Sequence, residues 1–409
     1  MKKFFALLLS LAMVLALVAC GQKETTTPDD TQTPDDTTPE VEYKIAMITD
    51  YGDITDQSFN QTTYEACKAF AEDNSIEFSY FKPAGDNTAD RVAMIEKAVN
   101  DGFNVIVMPG YAFGGAIVEA APEFPDVKFI ALDVAAGDLL ETAVAKAGEA
   151  YDYTPENWDL NKYVDMSNVY CAVYQEELCG YMAGYAAVKL GYKNLGFLGG
   201  MSVPAVVRYG YGFVQGVDAA AADMGLTDVK VNYIYGGQFC GDADITAVMD
   251  TWYQGGTEVV FACGGGIYTS AVDAAKKANA KVIGVDVDQA GVIAKYAGVD
   301  GMTVTSAMKG LYPATYDTLT DVIVNGNWEK YVGKIETLGL VSGTDPEANY
   351  VQIPMGDGTQ WSDSFTQDDY KAMVKDMFDG KITVSNDTTK APTDFATAIT
   401  VNAQGQIKG

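Results

Sequence analysis

From residue 44 onward the chain alternates short apolar, β-rich runs with stretches of helical pattern, and it does so twice in succession. The first series places strands at 44–49, 76–81, 104–108 and 127–132, with helices near 58–73, 86–101 and 112–122. The second places strands at 194–198, 229–235, 258–263 and 281–285, with helices near 208–225, 242–254 and 267–279. A parallel connection has to cross back over its sheet, so this alternation predicts parallel sheets covered by helices on both faces. Two series predict two doubly wound α/β lobes with a cleft between them. Strands at 168–174 and 302–306 are placed to carry the chain from one lobe to the other.

The expected division follows. Residues 43–175, with part of 308–345, form the first lobe; residues 176–307, with part of 346–384, form the second. After Lys309 the pattern gives a helix to about 324, a strand at 350–353 and a helix near 367–378. Residues 134–167 fit the alternation poorly and are read as an excursion on the first lobe. Residues 385–409 read as a polar tail whose order the sequence leaves open.

The two segments before residue 43 are of a different kind. Met1-Lys2-Lys3 precedes an apolar run from Phe4 to Ala19, short for a membrane span and of the right size for a signal-peptide core, so residues 1–19 are expected to be a signal peptide. The run ends in Leu17-Val18-Ala19-Cys20-Gly21, which is similar to a bacterial lipobox, with Cys20 as the lipidated residue. The same small residues also satisfy an ordinary cleavage site. Two or three acyl chains anchor a protein stably, at about 0.8 kcal/mol per buried methylene. Residues 20–42 are expected to be the lipidated cysteine and a disordered tether, because the Thr/Pro/Asp repeats of 21–40 offer no aromatic or branched aliphatic side chain to bury.

Composition excludes several functions. The formal charge of −29 repels phosphate backbones, so no nucleic-acid partner is expected, and contact with the membrane is expected through the lipid anchor only. There is no histidine, which removes Ser-His-Asp triads, Cys-His pairs and His-ligated metals. No cofactor or metal is expected, and the chain reads as a binding protein rather than an enzyme. Cys67, Cys171, Cys179, Cys240 and Cys263 lack metal spacing and sit in apolar stretches, so they read as small buried hydrophobes; a Cys171–Cys179 bridge stays open in an exported protein.

In open parallel sheets the ligand binds outside the carboxyl ends of the strands. Following each strand there gives Asp50, then Asp56-Gln57-Ser58-Phe59-Asn60, Tyr111 and Asp133 in the first lobe. In the second it gives Gly199-Gly200 with Arg208-Tyr209, Gly264-Gly265-Gly266, Asp286 with Asp288, and Ser306 with Lys309. Carboxylates accept from hydroxyl and N–H donors, and aromatic faces suit a planar ring. A nucleoside supplies both, whereas several carboxylates against one lysine disfavour a nucleotide. A single Asp after a strand is equally a helix cap. Arg208, one of two arginines in the chain, has two readings, a ligand or inter-lobe partner and a surface helix residue. Gly210-Tyr211-Gly212 with Gly216 lies inside a helical pattern and is not a dinucleotide fingerprint.

These residues, with Asp56-Gln-Ser-Phe-Asn-Gln61, Tyr181-Met-Ala-Gly-Tyr-Ala-Ala187, Leu195-Gly-Phe-Leu-Gly-Gly200, Gly212-Phe-Val-Gln-Gly216, Ile283-Gly-Val-Asp-Val-Asp-Gln289 and Thr305-Ser-Ala-Met-Lys309, resemble the basic membrane protein family of substrate-binding lipoproteins of ABC transporters. Its members include purine nucleoside receptors. The resemblance implies a type I periplasmic-binding-protein-like fold with three crossovers, a monomer that delivers a nucleoside to an ABC transporter permease, and a set of ligand residues. Asp50 and Asp133 would bind the base or ribose, Phe59 would stack on the base, Asp286 and Lys309 would bind ribose hydroxyls, and Gly265 would offer backbone. Asn60 matches a motif position whose role, cap or ligand contact, stays open. Tyr209 stands where the family's second stacking residue is usually Phe. A sugar or other polar solute on the same fold is the competing ligand, and a nucleoside or glycoside hydrolase the competing class.

Overall fold

The apolar runs send successive side chains to opposite sides of a sheet. In β1 (Lys44–Ile48) Ile45 and Met47 enter one core while Ala46 and Ile48 enter another. That is the requirement of a parallel sheet with two covered faces. The computed structural model describes residues 42–408, so the signal segment, Cys20 and the tether up to residue 41 lie outside the described residues.

In chain order β1 is followed by α1 (Phe59–Asn74), β2 (Glu77–Phe81), α2 (Thr88–Asn100), β3 (Val105–Pro109), α3 (Gly114–Ala120) and β4 (Lys128–Leu132). The excursion holds α4 (Ala136–Lys146) and α5 (Leu160–Tyr163), and β5 (Val169–Tyr174) closes the series. Then come α6 (Glu176–Lys189), β6 (Asn194–Gly199), α7 (Pro204–Asp223), β7 (Lys230–Tyr235), α8 (Ala243–Gln254), β8 (Val259–Cys263), α9 (Tyr268–Ala278), β9 (Lys281–Asp286), α10 (Ala290–Ala297) and β10 (Thr303–Lys309). The chain ends with α11 (Leu311–Leu319), β11 (Ile335–Leu338), β12 (Val351–Gln352), α12 (Gln367–Phe378) and β13 (Thr400–Gln406).

The strands form two sheets within one compact unit that begins at Tyr43. The first, in order β11-β5-β4-β3-β1-β2, is parallel throughout. The second, β12-β10-β9-β8-β6-β7-β13, is parallel except for the β10–β12 pair. The chain passes between them three times: from β5 to α6, from β10 to α11, and from β11 to β12. This is the type I periplasmic-binding-protein-like architecture, two α/β lobes joined by three crossovers.

Helix α6 packs along α7 at backbone contact distance. A Cβ on Gly212 would lie 2.0 Å from the Glu177 carbonyl oxygen, and one on Gly180 would lie 2.3 Å from that of Tyr209. Gly212 and Gly216 of α7, with Gly180 and Gly184 of α6, therefore serve helix packing, whereas Gly210 makes room for Tyr233 and Phe197 of the sheet. The sequence reading assigns no element to 176–189, and the reason is physical: eleven of the 14 residues of α6 are buried, so no polar face marks its period.

Two further differences are informative. Residues 385–408 are ordered, with β13 parallel to β7 and Asp218 accepting from the backbone of Thr397 and Ala398 and from the Thr397 hydroxyl, each at 2.7 Å. An exposed, polar edge strand carries no hydrophobic alternation to read. Cys67, Cys171, Cys179 and Cys263 are buried and free, so no Cys171–Cys179 bridge forms; Cys240, expected to be buried, is exposed in the loop after β7.

Candidate functional site

The carboxyl ends of the strands in both sheets open on a cavity of about 510 Å³, within the usual range for small-molecule sites. The structure brings all eight residues marked from sequence, Asp50, Phe59, Asn60, Asp133, Tyr209, Gly265, Asp286 and Lys309, to its wall. Tyr111 and Arg208 border it as well. Asp288 does not; it is exposed and caps the start of α10 by accepting from Ala290 N at 3.0 Å.

The first-lobe groups are set by the turn between β1 and α1. Asp56 accepts from the backbone N–H groups of Ser58, Asn60 and Gln61 at 2.9–3.1 Å, satisfying donors that a helix start leaves free. This seats Phe59 as the first residue of α1. Asn60 donates to both Asp50 and Asp56 at 3.1 Å, so here it acts as a brace between two carboxylates. Asp50 also accepts from Tyr51 N and Gly52 N, at 2.6 and 2.7 Å, and Arg91 donates to its carbonyl at 3.1 Å. Burial still raises the Asp50 carboxyl above its ordinary range, against these hydrogen bonds.

Asp133 and Asp286 occupy equivalent places, the first just past β4 and the second at the end of β9. Both have left-handed backbone, φ 59° and 65°, which asparaginyl and aspartyl residues tolerate better than most and which clusters at functional sites. Both face Lys309, whose ammonium pairs closely with Asp133 and lies 3.8 Å from Asp286 and 3.4 Å from Glu176. Lys309 is 5% exposed. Burial works against its charge, yet Asp133, Asp286 and Glu176 together raise it well above its ordinary value, so it stays protonated. Burial pushes Asp133 up to about 6, although Lys309 pulls it down. The second oxygen of Asp133, Oδ1, is buried without a hydrogen-bond partner. Asp286 accepts from the Ser58 hydroxyl at 2.5 Å and from the Tyr209 hydroxyl at 3.2 Å. The first of these bonds joins the lobes.

The same ammonium lies 4.8 Å from the Phe59 ring centre, 5.4 Å from that of Tyr174 and 5.6 Å from that of Tyr209. Tyr209 is on the second turn of α7, buried edge-on against Phe261 at 5.9 Å. The Gly264–Gly266 loop takes positive φ at Gly264 and Gly265, and a Cβ on Gly264 would meet the Phe239 ring at 2.7 Å. Only glycine serves both demands there.

Two sets of residues escape the sequence reading. Glu176 follows β5 and ties Arg208 to Lys309, accepting from Arg208 Nε at 2.7 Å, which also decides Arg208 as a partner of a carboxylate rather than a surface residue. Gln238, Phe239 and Cys240 follow β7 and border the cavity. The rule of reading the residues after each strand finds both sets once it is applied to β5 and β7.

Two α/β lobes whose strand ends converge on a cavity lined by carboxylates and aromatic rings define a solute-binding protein. Solved structures show the same fold: the solute-binding protein of an ABC transporter system from Aeropyrum pernix K1 superposes with a TM-score of 0.60 at 20% identity, over 86% of this chain and 90% of that one. The corresponding protein from Conexibacter woesei DSM 14684 gives 0.58 at 19%, over 84% and 99%. Residues 43–344 match the family described as ABC transporter substrate-binding protein PnrA-like, and the chain belongs to that family. Among its relatives, the ABC transporter nucleoside-binding protein BmpA of Lactococcus lactis subsp. cremoris (strain MG1363) is 26% identical over 84% of this chain and 90% of its own. Basic membrane protein B of Borreliella burgdorferi is 26% identical over 76% and 83%.

Proposed function

We propose that this chain is an extracytoplasmic lipoprotein, anchored through Cys20, that captures a nucleoside, a purine nucleoside first, and delivers it as a monomer to an ABC transporter permease. The observation that carries the reading is the pairing of chemistries in one cavity. Phe59 from the first lobe and Tyr209 from the second offer aromatic surface, while Asp133 and Asp286 offer acceptor oxygens beside Lys309. A planar base with ring N–H donors and a ribose with hydroxyls uses both kinds of wall. Asp50, Asp53, Asp56, Asp133, Asp138 and Asp286 against Lys82, Arg208 and Lys309 leave the wall rich in carboxylate, which discriminates against phosphate. The relative named as a nucleoside-binding protein supports the same assignment. The role is binding and transfer, with no bond made or broken.

A ligand that binds only the folded state stabilises it by about 4 kcal/mol at a thousandfold excess over Kd. Inosine, guanosine and adenosine are therefore expected to raise the melting temperature, and the corresponding monophosphates are not. A panel in which only free sugars shift the transition would replace the nucleoside by a sugar. Labelled fatty acid is expected on the wild-type protein and not on Cys20→Ala.

A further inference from the structure

Glu176 is the first residue of α6, where the chain makes its first passage between lobes, and it is fully buried. Its oxygens are divided. Oε2 accepts from Arg208 Nε at 2.7 Å, and Oε1 faces the Lys309 ammonium at 3.4 Å, where the second passage begins. Three carboxylates surround Lys309; Asp133 and Asp286 border the cavity, and Glu176 does not. A buried charge that meets neither solvent nor ligand is costly unless its partners offset it, so its place reflects what it does to them. Held by Asp133 and Asp286 alone, Lys309 would be neutralised by the same oxygens that a ligand has to use. Backed by a third carboxylate, it leaves acceptor capacity on Asp133, a residue of the cavity wall whose buried Oδ1 has no partner. Arg208 likewise borders the cavity while its Nε is tied back to Glu176.

We propose that Glu176 is a positioning residue of the ligand site: it holds Lys309 and Arg208 from behind, so that Asp133 and Asp286 keep acceptor oxygens for the ligand. The assignment rests on this cleft being where the ligand binds. The charged groups that bear on Glu176 are Lys309 on β10, Arg208 on α7, Glu177 on α6 and Asp133 beyond β4, with Asp286 on β9 facing the same Lys309; Tyr174, Cys179, Tyr209 and Cys263 are the neutral titratable groups nearby. Burial is the main reason why Asp133 stands above its ordinary range, with the Glu176 charge adding to it and Lys309 opposing.

Glu176→Gln keeps the length and an acceptor for Arg208 but deletes the charge. Two measurements test it. In ligand-free protein labelled at the aspartate 13Cγ, with the Asp133 signal assigned by Asp133→Asn, the Asp133 midpoint is expected to move to lower pH, because a like charge is gone and Lys309 closes on Asp133. In titration calorimetry inosine is expected to bind at least about tenfold more weakly, since that ion pair now competes with the ligand. Glu177→Gln, an adjacent buried carboxylate with no bond to Lys309 or Arg208, is expected to move neither readout. An unchanged Asp133 midpoint, an equal shift in Glu177→Gln, or unchanged inosine affinity in Glu176→Gln overturns the assignment. If Glu176→Gln does not fold, Glu176→Asp carries the test: it keeps the charge but draws it away from both cations, and unchanged inosine affinity there overturns the assignment equally. If the wild-type protein binds no inosine, the nucleoside reading fails, and Glu176 is decided by the carboxyl titration alone.

Discussion

Replacing Lys309 by Met strips the cation shared by three buried carboxylates and leaves Arg208, on the far oxygen of Glu176, as the remaining partner. In the native protein the Lys309 ammonium is paired with Asp133, lies within 4 Å of Glu176 and Asp286, and is ringed by Phe59, Tyr174 and Tyr209. Removing one partner of a buried ion pair costs roughly 3–5 kcal/mol, because the remaining charge is left uncompensated. At about 2–4 °C per kcal/mol for domains of 150–250 residues, and less for a longer chain, the melting temperature at pH 7.5 is expected to fall by roughly 5–15 °C. The pH dependence is the sharper test. Asp133 already stands at about 6 with Lys309 pulling it down, and without Lys309 it rises further. A carboxyl whose folded pKa exceeds its unfolded value, near 3.9, loses stability as pH rises between the two. Asp133 stands at about 6 in the native protein and higher in the variant, so the two lose stability in parallel up to about pH 6; the deficit of Lys309→Met should thus be smallest and flat below about pH 6, grow as the pH rises above 6 and reach its full size above the raised value. Differential scanning calorimetry of both proteins from pH 4 to 8 measures it. A gap below about 2 °C at pH 7.5, or one that widens on acidification, would refute the reasoning.

Phe59→Ala and Tyr209→Ala are each expected to weaken nucleoside binding ten- to a hundredfold by calorimetry, as loss of roughly 1–3 kcal/mol of stacking requires. Tyr209→Phe keeps the ring but loses the bond to Asp286; it should hold affinity near wild type while lowering the ligand-free melting temperature. Wild-type affinity in both alanine variants would remove the two rings from the ligand site. With Cys20 acylated or replaced, Ellman's reagent should find one fast thiol in the native protein, abolished by Cys240→Ser, because burial raises the Cys67 and Cys171 thiols and hides them. Asp218→Ala removes the acceptor of three bonds at 2.7 Å and should free the C-terminal segment, seen as early tryptic cleavage at Lys390 at unchanged inosine affinity.

The sequence by itself determined the lobes and much of the cavity wall. Strands buried on both faces are near-continuous apolar runs, so β1, β3, β4, β8 and β9 show in the residues themselves, and the residues at or just beyond their ends, Asp50, Tyr111, Asp133, Gly265 and Asp286, follow by counting. Where burial runs nearly all round a helix, as in α6, or is nearly absent on a strand, as in β11 and β13, the contrast that makes a period visible is missing. Glu176 shows the larger limit. A lone Glu after a strand reads as a helix-start residue, and nothing local says that Arg208, 32 positions on, and Lys309, 133 positions on, will meet its two oxygens. Ser58 and Asp286, 228 positions apart, meet in the same way. Which charges share one buried cluster, and which of them face the cavity, was decided only when three chain crossings brought the strand ends together, because pairing in a low-dielectric interior depends on distances that the order of residues does not contain.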